Sequence, residues 1–287
     1  MIVACSGANE LAKKVAKLKN LEVMEVESYK FPDGEVYVRL PKQELPEDVI
    51  VMQNFYPNQN DKLVEFILAC DSACDYGVKR IKAIFPYFAY ARQDKRFKEG
   101  EAISIKAIAK ILKEFNVKEI ITIDVHFHRK EGEFDFFGVK GYNIAATDLL
   151  IDYVKRNYCK DFVTVAPDIG QAKALGKAEY FEKERISGDE IIMKKRDIDV
   201  EGKNVLVIDD MISTGGTMIE ACKLVKKIGA KKIFAACTHG LFLRNSYEKL
   251  KEIVDDVIAT DTIQSEASKV SVASLIAKYL CNTNNDL

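Results

Sequence analysis

The chain of 287 residues has no tryptophan, only three histidines, and a net charge of just −1. A balance so near zero argues against a general nucleic-acid binder, whose basic patch usually shows in the total. No apolar run reaches transmembrane length, so no membrane association is expected. The opening Met1-Ile2-Val3-Ala4-Cys5-Ser6-Gly7 lacks a basic leader and reads as a core strand. The seven cysteines are odd in number and scattered. Cys70 and Cys74 lie four apart, but no second ligand pair has zinc-like spacing. Reduced thiols in a cytoplasmic protein are the expectation. Low-complexity segments and short repeats are also missing. The lack of tryptophan beside abundant Lys and Glu points to a heat-adapted source.

What is present is enough for a large core: 48% of residues are hydrophobic and 30% charged, over a length that suggests about two domains. Short apolar runs alternate with amphipathic segments, the signature of an α/β fold. The pattern predicts strands over 2–5, 23–26, 49–52, 81–85, 119–123, 162–166, 205–208, 232–236 and 256–259. It predicts helices over 10–18, 61–76, 104–115, 148–158, 218–228 and 270–280, with Asp61 as a cap. Residues 142–145 read as a junction between two halves of similar size, and 282–286 as a frayed polar tail.

The most informative stretch is Val205-Leu206-Val207-Ile208-Asp209-Asp210, followed by Ser213-Thr214-Gly215-Gly216-Thr217 and a helical pattern. It reads as a buried parallel strand, a tight loop and a helix N-terminus. Such a loop offers backbone N–H groups and hydroxyls to an anion, with the helix dipole behind them. Two glycines keep Cβ atoms out of the way of a phosphate. Two acids would repel that phosphate, so they suit polyol hydroxyls or a metal. The combination predicts a sugar phosphate. Taken alone, acids at a strand end more often cap the next helix.

Other polar clusters also follow predicted strands. Pro32-Asp33-Gly34 is a turn signal ahead of alternating Val36-Tyr37-Val38, hence a hairpin, in which Asp33 and Glu35 by themselves are turn acids. Pro86 to Arg96 joins aromatics, which stack on bases, to Arg92, Gln93, Asp94 and Lys95; Arg and Lys suit phosphates, and a solvated charge run is the plainer alternative. His126 and His128 are two apart on a segment read as extended, so they share a face and suit a metal, although His128 is read as simply hydrogen-bonded. Asp168 ends the 162–166 strand. The charged stretch 179–188 alternates like a solvated edge hairpin.

Taken together, these stretches resemble the ribose-phosphate pyrophosphokinase family, also called phosphoribosyl-pyrophosphate (PRPP) synthetases. The motifs stand in the family's order: Phe31-Pro32-Asp33-Gly34-Glu35, then Pro86-Tyr87-Phe88 through Arg92-Gln93-Asp94-Lys95, then Asp124-Val125-His126, then Pro167-Asp168-Ile169-Gly170 and the 205–217 loop. The Arg-Gln-Asp-Lys string is the most discriminating, since transferases that consume PRPP do not carry it.

The resemblance implies two similar type I phosphoribosyltransferase-like domains, each a mainly parallel sheet flanked by helices. They would span 1–142 and 143–267, with the last helix, about 268–287, packing back on the first. It implies transfer of the β,γ-diphosphoryl group of ATP to the anomeric hydroxyl of ribose 5-phosphate, with Mg²⁺, in a homo-oligomer that shares ATP sites. By position, Phe31, Asp33, Gly34, Glu35, Arg92, Gln93 and Asp94 would contact ATP. His126 and Asp168 would bind metal. Asp209, Asp210 and Ser213, Thr214, Gly215, Gly216 and Thr217 would hold ribose 5-phosphate, joined by Arg185. Lys183 and Arg185 would be catalytic, on a closing loop. The chain reads Ile212-Ser213-Thr214-Gly215-Gly216-Thr217 where many members carry Asp-Thr-Ala-Gly-Thr, so Ser213 replaces an acid. A PRPP-consuming transferase and a non-catalytic regulatory subunit are the alternatives.

Overall fold

The structure, a computed structural model, describes residues 1–41, 44–128, 130–176, 178–187, 190–194 and 198–282, without the side chains of 174, 182–187 and 190–194. The chain divides into two compact units, Met1–Ala145 with Ala273–Leu287, and Ala146–Val272.

The first unit runs β1 (Ile2–Ala4), α1 (Asn9–Lys19), β2 (Val23–Glu25), β3 (Glu27–Lys30), β4 (Val36–Arg39), β5 (Asp48–Met52), α2 (Gln59–Asp75), β6 (Arg80–Phe85), α3 (Ser104–Glu114), β7 (Val117–Ile123), β8 (Gly132–Phe136) and β9 (Val139–Ile144). Its main sheet has the order β2-β1-β5-β6-β7-β9-β8. All neighbours pair in parallel except β8, which lies antiparallel on β9. Interior strands of such a sheet are covered on both faces, which explains continuous apolar runs such as Ala83-Ile84-Phe85, all fully buried. β3 and β4 form a separate hairpin.

The second unit continues with α4 (Thr147–Asn157), β10 (Val163–Ala166), α5 (Ile169–Leu175), β11 (Glu179–Tyr180), β12 (Glu182–Ser187), β13 (Glu190–Lys194), β14 (Asn204–Ile212), α6 (Gly216–Ile228), β15 (Lys232–Gly240), α7 (Ser246–Lys251), β16 (Asp256–Thr260) and β17 (Ser268–Val270). The sheet order is β11-β10-β14-β15-β16-β17, parallel throughout. β14 lies inside it. Val205 and Val207 face one core with α6 residues Met218, Ala221 and Val225, and Leu206 and Ile208 face another with Leu150 and Val154 of α4. The alternation comes from the two-residue period of a strand. β12 and β13 pair as a two-stranded ribbon.

The last helix, α8 (Ala273–Asn282), belongs to the first unit and packs on α1. Tyr279 anchors it: its hydroxyl donates to Glu119 Oε1 at 2.6 Å, and its ring lies 4.4 Å from that of Tyr142. Lys82 Nζ reaches the other Glu119 oxygen at 3.0 Å.

Several expectations need correction. Asp61 lies inside the first turn of α2, where it pairs with Lys30 at 2.5 Å; the cap position is Asn58, left-handed at φ 64. The units part at Ala145/Ala146, at the end of the expected 142–145 junction, of which residues 142–144 are the last of β9. Gly141, one residue earlier, makes room in the same paired strand, since a Cβ there would meet the Phe134 ring at 2.4 Å. Val270 ends β17 rather than opening the final helix. β15 runs on to Gly240, and α5, α7, β8 and β17 gave no recognised signal. Of the polar tail, Asn282 is the last residue of α8, and 283–286 lie outside the described residues.

Candidate active site

In the second unit β14 carries the acids. It continues two residues beyond them, through Met211 opposite His239 and Ile212 opposite Gly240, so both acids stand within a paired strand. Adjacent strand residues point to opposite faces. Asp209 is half-buried and Asp210 is 7% exposed. Burial pushes the Asp209 carboxyl well up from the usual carboxylate range, and the charges of Asp210 and Asp168 add to it. Asp168 ends the turn after β10 and caps α5, its Oδ1 accepting from the Gln171 N–H at 2.9 Å. Asp168 thus caps a helix as well as joining this acidic group, whereas the capping alternative for Asp209 and Asp210 does not apply, since the cap position of α6 is Gly215.

The loop 213–215 leads straight into α6, a helix of 13 residues whose N-terminus has no side-chain cap. Its first N–H groups therefore remain available as anion donors. The two glycines have different reasons. Gly215 is left-handed at φ 79 and closely packed, since a Cβ on it would lie 2.5 Å from Ser246 Cβ; Gly216 has open space where a Cβ would point. Only Gly216 fits the expectation that glycine keeps the approach clear. Thr214 is exposed, and Ser213 and Thr217 are half-buried.

In the first unit the hairpin turn is closed by Phe31 N–H to Glu35 O and by Gly34 N–H to Phe31 O, both 2.9 Å, with Gly34 at φ 98. Asp33 Oδ1 accepts the Glu35 N–H at 3.1 Å, so Asp33 is a turn acid as well as exposed. Next to it stands an aromatic group: Tyr29 and Tyr37 stack at 4.4 Å, and the Phe31 edge meets both rings. Phe31 is 41% and Tyr29 53% exposed. Exposed stacked aromatics are a platform for a base.

Arg92 is exposed on the irregular segment after β6, with Asp94 half-buried close by. Gln93 is committed within the segment, its amide donating to Lys95 O at 2.9 Å and Glu101 Oε2 at 3.3 Å. The sequence reading missed Glu101. The same oxygen takes the Phe97 and Lys98 N–H groups, at 2.8 and 3.0 Å, and those bonds hold its carboxyl below the usual range. The missed residue Asn143 has a similar role. Fully buried in β9, it accepts from the Val125 N–H and donates to Lys130 O, pinning the turn that carries His126.

That turn overturns the shared-face argument for the histidines. His128 N–H donates to Val125 O, so 125–128 is a bend rather than an extended run. The His128 ring lies against Phe134 at 5.1 Å, and its pKa is lowered by burial and then Lys130. His126 is half-buried. Among the described residues no three His, Cys, Asp or Glu side chains form a ready metal cage. Mg²⁺ does not require one. It favours oxygen donors, keeps several waters and commonly takes one or two carboxylates plus substrate phosphates. Asp168, Asp209 and Asp210 suit it, because a dication would relieve the repulsion that raises Asp209. His126, in the other unit, offers a nitrogen, which suits Mg²⁺ less well.

Lys183 and Arg185 lie on β12, paired in backbone register with Met193 and Ile191, and a register irregularity follows Arg185. Their side chains lie outside the described residues.

Comparison with known proteins adds the following. Residues 1–115 match the model of the N-terminal domain of ribose phosphate pyrophosphokinase, and residues 168–275 match the phosphoribosyl transferase domain. The ribose-phosphate pyrophosphokinase of Methanopyrus kandleri is 37% identical over 98% of this chain and 99% of its own length. That of Pyrococcus abyssi is 39% identical over 97% of both. The crystal structure of phosphoribosylpyrophosphate synthetase from Mycobacterium smegmatis superposes with a TM-score of 0.84 at 29% identity, covering 100% of this chain and 99% of that one.

Proposed function

The chain belongs to the ribose-phosphate pyrophosphokinase family, and from that premise we propose how its residues divide the work. The reaction is that of a ribose-phosphate diphosphokinase. The anomeric oxygen of ribose 5-phosphate attacks the β-phosphorus of ATP. A new O–P bond forms, the bond to the α-phosphate oxygen breaks, and PRPP and AMP result, with the hydroxyl proton lost to solvent.

The observation that carries the assignment is the strand β14, its acid pair, and the uncapped N-terminus of α6 immediately after. The loop 213–217 holds the 5-phosphate on backbone N–H groups and hydroxyls. Asp209 and Asp210 accept hydrogen bonds from the ribose hydroxyls and fix the orientation of the sugar. In the first unit Arg92 and Asp94 serve ATP, and Gln93 with Glu101 shapes the segment that presents Arg92. The Tyr29–Phe31–Tyr37 platform takes the adenine of a second copy's ATP, with Asp33 and Glu35 on its rim, which makes the working form a homo-oligomer. Lys183 and Arg185 neutralise the charge of the diphosphoryl group as it transfers and exclude water. Asp168 in the second unit would hold Mg²⁺, with His126 the first unit's candidate ligand, and the ion would supply charge neutralisation for the phosphate groups. No helix among the described residues is long and apolar enough to cross a membrane, and we place the enzyme in the cytoplasm.

Incubation with ATP, ribose 5-phosphate and Mg²⁺ tests the assignment. AMP and PRPP in equal amounts are expected. Protein that binds nucleotide but forms neither product would return the chain to the regulatory-subunit reading.

A further inference from the structure

The phosphate loop does not hold its shape alone. A second segment, 241–246, runs beneath it between β15 and α7. The N–H groups of Leu241 and Phe242 both donate to Ile212 O, at 3.0 and 3.1 Å, and the Leu243 N–H donates to Ser213 O at 2.9 Å. The Ser246 hydroxyl reaches the same Ser213 carbonyl at 3.3 Å. Ser246 is fully buried, and its Cβ lies where a side chain on Gly215 would have to go, 2.5 Å from the position of that missing Cβ.

The segment achieves this with an unusual backbone. Phe242, Arg244 and Asn245 are all left-handed, at φ 49, 57 and 57, a region that non-glycine residues rarely occupy unless their surroundings hold them there. The surroundings can be named. The Phe242 ring packs against the core under α6 and meets Tyr247 edge-on at 5.4 Å. Gly240 leaves room for it, since a Cβ there would lie 2.3 Å from the ring. The segment is thus fixed from the core side, and it in turn fixes the loop. Outward, Gly216 has open space.

The geometry points to Ser246 as a positioning residue for the sugar phosphate: it sets the left-handed turn at Gly215 and through it the direction of the first N–H groups of α6. Residues 241–246 lie outside the family motif, and nothing in the sequence pattern marks them. The inference rests on the assignment of the 213–217 loop to the 5-phosphate. A purely structural Ser246, opening α7, would alter stability without favouring one substrate.

Steady-state kinetics of Ser246→Val and Ser246→Ala, with thermal melting, tests it. Valine adds a branch atom against Gly215 and should raise KM for ribose 5-phosphate by about tenfold or more while KM for ATP stays within about twofold. Alanine keeps the Cβ and loses only the hydrogen bond, so a rise of about two- to threefold in the same KM with little change in Tm is expected. An unchanged KM for ribose 5-phosphate in folded Ser246→Val overturns the inference, as does a loss shared by both substrates in step with Tm. If the valine variant does not fold, Ser246→Ala decides alone by the same KM. If the wild-type protein yields no AMP and PRPP, the functional assignment fails separately. Calorimetric titration with ribose 5-phosphate then reads the brace: weaker binding by the variants supports it, and equal binding, or no binding by the wild type, overturns it.

Discussion

The backbone N–H of Asp210 donates to Oδ1 of Asp209 at 2.9 Å, on the stretch of β14 that still pairs with β15 after the β10 register has ended at Val207. The two acids are therefore locked together before any ligand arrives. One Asp209 oxygen is already in use, while burial and the neighbouring charges of Asp210 and Asp168 act against its ionised form. A site built this way is poised for cations and hydroxyl donors, at the cost of stability in the empty protein.

That cost has a definite pH dependence. The folded pKa of Asp209 is raised above the unfolded value, so the native state binds the proton more tightly. Stability then falls as pH rises from about 4, the unfolded carboxylate value, to the folded pKa, and stays lower above it. Asp209→Asn removes the penalty. The ligand-free variant should be more stable than wild type near neutral pH, with the gap closing below about pH 4. Denaturant melts across that range check it; a gap of constant size, or a less stable variant at neutral pH, would contradict the sign.

The anchor of α8 gives a second expectation. Tyr279→Phe keeps the ring against Tyr142 and deletes only the bond to the buried Glu119, which Lys82 still faces. A loss of about 1 kcal/mol is expected, near the net value of one hydrogen bond. The Tyr279 phenol is pushed far above its ordinary range by burial and then Glu119, so this contribution should not titrate near neutrality. Urea unfolding of both proteins measures it, and a difference that varies between about pH 6 and 9 would speak against the account.

The hairpin aromatics carry a third. Phe31 is 41% exposed, so Phe31→Ala should leave Tm nearly unchanged. If the platform serves a second copy's adenine, KM for ATP should rise by about tenfold with ribose 5-phosphate little affected. Sedimentation at assay concentration completes the test, because an active monomer would remove the reason for the platform.

The sequence made some of this visible and hid the rest for physical reasons. β14 and its acids could be read because a doubly covered strand must be a continuous apolar run, so two charges at its end stand out. The hairpin could be read from Pro32-Asp33-Gly34, where Gly34 does adopt the positive φ that its turn needs. Asn143 could not, because a polar residue in a short strand looks like a loop until the turn it pins is seen. Glu101 binds Phe97, Lys98 and Gln93 within one irregular segment, where no periodicity marks it, and Ser246 acts on a partner 33 residues away, a separation that no local pattern encodes. The histidine pair failed for a related reason: period-two reasoning holds only on extended backbone, and 125–128 bends.

Lys183 and Arg185 offer the most demanding test. They lie two apart on β12, whose backbone, among the described residues, pairs with β13 alone in a two-stranded ribbon separate from the six-stranded sheet. A ribbon of that kind is held by few ladder bonds and can change position without disturbing a core, as a closing loop must. It is equally what a solvated edge hairpin would look like, and kinetics separates the two. A cation that meets the diphosphoryl group mainly in the transition state is worth on the order of 3–4 kcal/mol, so Lys183→Ala should lower kcat by roughly two to three powers of ten. KM for both substrates should move far less, since ground-state binding belongs to the 213–217 loop and the ATP residues. Arg185→Ala should behave alike, and the double variant should fall well short of the summed losses if the two cations act as one unit. A kcat within a few-fold of wild type, or a defect confined to KM, would mean that the ribbon is a solvated edge and that the neutralising charge comes from elsewhere.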